Sequence, residues 1–193
     1  MNSSALFSAY LKAVKDYIQP IMVNIALMIP IMLNIETGKK NGIIIGVIYF
    51  FIYLLSSYAS KRSSTIHNKS KKNIIKFTLL LGFAFGISCG ILFFFNLWIL
   101  SLIAFIGIYI IENIRKPILT GYVADEVPNE ILSSVISAQS LLKALLTAIL
   151  ALFFGMLADI YGIGISFIMV SLFLVIATLL IIFYSRSKNN TIK

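Results

Sequence analysis

The chain has 193 residues, of which 60% are apolar, 13% aromatic and only 12% charged, and its mean hydropathy is +0.98. A soluble domain is nearer to about 45–50% apolar and about 25% charged. The composition excludes disorder, nucleic-acid binding as the main activity and an ordinary water-soluble globule, and leaves a polytopic helical membrane protein. The net charge of +9 is expected to gather in loops on one side of the bilayer.

Residues 1–16 read as a cytoplasmic amphipathic lead-in lying along the membrane surface, with Phe7, Tyr10, Leu11 and Val14 on one face. Six apolar runs follow, each near the ~20 residues that a helix needs to cross about 30 Å of hydrocarbon. They cover about residues 17–35, 41–60, 73–95, 97–114, 130–156 and 163–184. Residues 185–193 form a cytoplasmic tail. Strands are excluded, because an open sheet in lipid leaves backbone groups unpaired.

Basic residues alternate between the predicted loops. Lys12, Lys15, Lys61, Arg62, Lys69, Lys71, Lys72, Lys76, Arg115, Lys116, Arg186, Lys188 and Lys193 fall on one side, against Lys39 and Lys40 on the other. That asymmetry predicts both termini in the cytoplasm of a multi-pass plasma-membrane protein, of bacterial type. The basic cluster between the second and third spans reads as a topology determinant against lipid headgroups rather than a nucleic-acid patch.

Polar side chains inside the spans are unevenly spread. The sixth span is almost wholly apolar. The first carries Gln19, Asn24 and Asn34 with Pro20 and Pro30, and the fourth ends in Tyr109, Glu112 and Asn113. The fifth carries Ser133, Ser137, Ser140 and Thr147 at helical spacing, with Gln139 and Lys143 four residues apart. Such groups are costly in lipid, so the first, fourth and fifth spans read as walls of a water-accessible pathway, or as partners in polar packing between helices. Asn24, Tyr109, Gln139 and Lys143 are the pathway candidates. Glu112 and Arg115 are candidates for coupling or gating, with a local ion pair as the simpler reading. Gly82, Gly86 and Gly90 form a small-residue stripe for close helix packing.

The sequence carries no catalytic cluster, and enzymatic activity is not expected. The only histidine, His67, lies in a loop, and Cys89 stands alone in an apolar run. A metal site, a serine–histidine arrangement and a disulfide are therefore not expected, and no cofactor is implied.

Several stretches resemble the major facilitator superfamily, in particular the second half of a bacterial member. They are Arg115-Lys116-Pro117-Ile118-Leu119, Tyr122-Val123, Val127-Pro128, the run from Ser133 through Ser140 to Leu141, and Gly155-Met156-Leu157-Ala158-Asp159-Ile160-Tyr161-Gly162. Two departures stand beside them. Where that family carries an aspartate in its loop signature after the second span, this chain has Ser60 before Lys61 and Arg62. Members of the family also usually have two six-helix halves, and this chain has six spans in all.

The resemblance implies one half of that fold: six transmembrane helices arranged as a 3+3 inverted repeat. It also implies transport of a small molecule by alternating access against a second six-helix half, which could be a separate chain or a second copy. The alternatives are a non-transporting membrane scaffold or assembly protein, and a non-functional truncated transporter fragment.

Overall fold

The computed structural model describes residues 2–28, 37–66 and 71–191, and every regular element among them is helical. α1 (Asn2–Val14) passes through one 3-10 turn, Lys15–Tyr17, into α2 (Ile18–Met28). Val14 and Ile18 both keep right-handed helical backbone, so the three pieces make one rod. α3 spans Thr37–Ile66, α4 Lys71–Phe94, α5 Trp98–Glu126, α6 Asn129–Tyr161 and α7 Ile163–Thr191. α3 to α7 each contain a stretch long and apolar enough to cross a bilayer, as a helical membrane protein requires.

The 3-10 turn has a local cause. Pro20 has no N–H to offer the carbonyl of Asp16 four residues earlier, and its ring crowds that carbonyl. The Ile18 N–H bonds instead to the Lys15 carbonyl three residues back.

The first rod differs from expectation in place and in partner. Phe7, Tyr10 and Val14 are fully buried, so residues 2–14 are part of the bundle and do not lie along its surface. The apolar face of the lead-in is as predicted, but aromatic rings and helix faces of the same chain cover it. The helical rod begins at Asn2, ahead of the predicted first span at 17–35. Its Pro30 and Asn34 lie outside the described residues.

α5 also outruns its predicted end. It continues through Pro117 to Glu126, because Ile111, Ile118, Leu119 and Val123 keep one buried line along it on both sides of the proline. The predicted loop between the fourth and fifth spans thereby shrinks to Val127 and Pro128.

Ring and hydrogen-bond pairs set the directions of the rods. Phe7 meets Phe83 edge-on at 5.5 Å, and Tyr10 meets the same ring at 5.4 Å. Gly86 lies under Tyr10, so α1 and α4 run the same way. α4 and α7 run oppositely, since Gly86 faces Ser171 while Gly90 faces Gly164 and Ile168. α6 and α7 form an antiparallel hairpin closed by Phe154 on Phe167 at 5.0 Å. Hence α1 and α6 are parallel, and Tyr17 stacks on Phe154 at 4.4 Å. The principal neighbours are α4 with α7 and α5, α1 with α6, and α3 with α5.

The seam between α4 and α7 is built from small residues. A methyl group on Gly90 would stand 2.5 Å from the Gly164 carbonyl oxygen, so only glycine permits this approach. Gly82 lies against the Phe7 ring. The hydroxyls of Tyr10 and Ser171 share a hydrogen bond of 2.6 Å, which satisfies both buried groups. Gly162 alone joins α6 to α7. Its φ of 83° is positive as a helix-ending glycine allows, but its ψ of 164° is extended, so it is not a left-handed cap.

Candidate functional site

Arg115 is 2% exposed although it lies next to the exposed Lys116. Its Nη1 donates to the Ile75 carbonyl at 2.6 Å and to the Thr78 hydroxyl at 2.8 Å. Its guanidinium carbon stands 5.3 Å from the centroid of the Phe7 ring. Arg115 therefore ties α5 to the first turns of α4 and roofs the start of α1. It is a clamp inside the bundle rather than a group on a loop.

Glu112, one turn earlier, is buried and accepts a hydrogen bond from the Ser8 hydroxyl of α1. This contact fixes the register of α1 on α5. Lys12 is one turn beyond Ser8, and Lys116 is one turn beyond Glu112, so each lysine shares a face with a member of the Ser8–Glu112 contact. Tyr109 lies three residues before Glu112 on that face of α5. It is half-buried, its ring 5.6 Å from Phe105, and its carbonyl accepts from the Asn113 side chain.

Lys143 reaches the same place from α6. It is eleven residues, or about three turns, before Phe154 and on the same side of the helix. Phe154 stacks on Tyr17. Three turns back from Tyr17 along the parallel α1 lie Leu6 to Ser8. Lys143 is half-buried, and its charge interacts with those of Glu112, Lys12 and Lys116. Gln139 is half-buried one turn before it.

A second group of side chains lies farther along the first rod. Lys15 and Asp16, in the 3-10 turn, are 4.0 Å apart with side chains 51% and 74% exposed. The Asp16 charge acts on Tyr49 and Tyr109, and the stacked Tyr49–Tyr53 pair, 6.1 Å apart, lies near Tyr109. Lys12, Lys15 and Asp16 fall between Tyr10, beside Gly86, and Tyr17, beside Phe154. Both partners belong to apolar spans, so these charges are level with the hydrocarbon-crossing parts of their neighbours.

Of the residues singled out in the sequence, Tyr109, Glu112, Gln139 and Lys143 come together on one face shared by α1, α5 and α6. Asn24 is half-buried on α2, two turns past Tyr17, on the segment packed against α3 and α5. Gly82, Gly86 and Gly90 are turned toward α1 and α7 of the same chain.

Sequence reasoning missed Ser8, Lys12 and Asp16 as part of this face. Their spacing of four was the available signal, opposite Phe7, Tyr10 and Val14. Among the described residues no group of three or more histidine, cysteine, aspartate or glutamate side chains could hold a metal ion. No family model, no curated protein and no solved structure matches the chain, so the functional reading rests on the residues themselves.

Proposed function

We propose that the chain is a six-helix half of a secondary transporter of the major facilitator type, moving a small molecule across a bacterial plasma membrane by alternating access. The observation that carries this reading is the charged face of α1, α5 and α6. Lys12, Lys15, Asp16, Glu112 and Lys143 stand beside spans that otherwise present apolar side chains. Ionisable groups at that depth are expensive in lipid and belong on a water-filled pathway or a protein partner. A second six-helix half supplies both.

Part of the packing fits a 3+3 arrangement in which α1–α2, α3 and α4 correspond to α5, α6 and α7, although α4 on α5 and α6 on α7 lack counterparts of similar weight. Under that exchange α1 on α6 becomes α5 on α3, and both pairs are among the main contacts. α4 on α7, and the first rod on α5, map onto themselves, and both are present. α3 and α6 correspond to each other, and they are the two least buried spans. In such a fold they meet the other half.

A scaffold using the Gly82–Gly90 stripe is less well supported, because Phe7, Tyr10, Ser171 and Gly164 already occupy it.

The test is water access from both sides. With Cys89→Ser as background and Gln139→Cys as reporter, an impermeant thiol reagent is applied to right-side-out and inside-out vesicles from the native host. Labelling from both sides is expected. Labelling from one side only, or from neither, overturns alternating access.

A further inference from the structure

We propose that the face shared by α1, α5 and α6 binds a soluble organic anion, a carboxylate- or phosphate-bearing solute, through Lys12, Lys116 and Lys143. The inference rests on the transport reading and names the substrate class of the same site.

Lys143 and Lys116 act on Glu112 from two helices, and Lys12 acts on Lys143 from a third. Glu112 is already engaged by the Ser8 hydroxyl and can balance only one of the three positive charges. Among the described residues no carboxylate lies within 4.0 Å of Lys12, Lys116 or Lys143. Positive charge on this face therefore exceeds negative charge, and the half-buried Lys143 is the lysine least able to draw on bulk water.

Helix geometry puts the three ammonium groups at different heights. Lys12 lies one turn from Ser8 toward the Tyr17 end of the rod. Lys116 lies one turn from Glu112 in the opposite direction, because Arg115, its neighbour, reaches back to the first turns of α4. Lys143 is level with Ser8 between them. A ladder of this kind suits an anion that moves along the face and exchanges one ammonium partner for the next.

Lys143 on α6 is half-buried, while Lys12 and Lys116 are exposed. The Tyr49, Tyr53 and Tyr109 rings farther along offer flat apolar contact for the organic part of the solute. Glu112 has a defined task in this picture: its negative charge partly offsets that of Lys143 when the anion is absent.

The experiment uses the purified full chain in nanodiscs of zwitterionic phosphatidylcholine. Thermal unfolding is followed with succinate, inorganic phosphate or choline chloride at matched ionic strength. A saturable rise in Tm with succinate or phosphate, absent with choline, is expected. Lys143→Gln is expected to raise the half-saturating concentration at least about tenfold, the equivalent of about 1.4 kcal/mol. Lys143→Arg is expected to retain the response. Should Lys143→Gln fail to fold, Lys12→Gln replaces it, with a several-fold weakening expected because its side chain is exposed and its removal disturbs no packing.

An equal response to choline, no saturable response, or an unchanged half-saturation in both glutamine variants overturns the assignment. So does stabilisation by phosphatidylglycerol discs alone, which would assign the lysines to lipid headgroups. Two-sided labelling of Gln139→Cys without an anion response defeats the anion assignment and leaves transport standing. An anion response with one-sided labelling defeats transport and leaves the binding site standing.

Discussion

The α4–α7 seam and the α1–α5–α6 face use opposite chemistry within one bundle. The seam is made of glycine, serine and aromatic rings, and its two hydroxyls satisfy each other. The face carries six charged side chains from Lys12 to Lys143, and its only close ion pair among the described residues is between chain neighbours. The seam is complete in a single chain, whereas the face has chemistry left over. A bundle divided this way has one side for holding its shape and another for meeting something outside itself.

The comparison is broken most completely at Lys143. Lys143→Leu removes the central charge of the face and places an apolar residue where the helix passes through an apolar span. Flux through native vesicles is expected to fall to background while insertion, read by protease protection, stays normal. Normal flux would defeat the role.

Arg115→Ala strikes the joint between the two regions. It removes charge-assisted hydrogen bonds, each worth about 1.5–3 kcal/mol, to Ile75 and Thr78. A clear drop in thermal stability is expected, with α1 loosened from α4, and an unchanged Tm would show that Arg115 is not a clamp.

Gly90→Leu tests the seam alone. Overpacking against the Gly164 backbone is expected to cost about 1–3 kcal/mol. It should leave the anion response intact in whatever fraction folds. Tyr10→Phe is milder. It removes one interhelical hydrogen bond, for an expected loss of about 0.6 kcal/mol in a membrane bundle.

The smallest effect belongs to Lys15→Gln. That exposed pair contributes less than about 1 kcal/mol, so stability should hardly move. A large loss of stability there would mean that the 3-10 turn is held by its charges rather than by Pro20.

The later spans were legible because nothing interrupts their apolar runs: the predicted 163–184 and 73–95 lie within or close to α7 and α4. The first rod was not legible, because Lys12, Lys15 and Asp16 give its middle the composition of a solvated segment. Only the packing of Phe7 and Tyr10 on α4 reveals that the rod carrying these exposed charges belongs to the bundle.

The fourth span was expected to end near residue 114, and the buried line from Ile111 to Val123 carries the helix past Pro117. Lys143, Gln139 and Tyr109 stood out as polar groups in apolar runs. That Glu112 pairs with Ser8 was invisible, since the two lie far apart along the chain and only α1 packing on α5 joins them.

The link at Gly162 restricts how α6 and α7 can shift. One residue separates α6 from α7, which rules out lengthwise sliding of either past the other. A glycine at that vertex leaves scissoring as the inexpensive freedom. The arc swept by α6 grows with distance from the vertex, so Lys143, more than halfway along the helix from it, travels farther than Phe154. A tilt of a few degrees at the hairpin tip thus becomes a displacement of ångströms at the lysine.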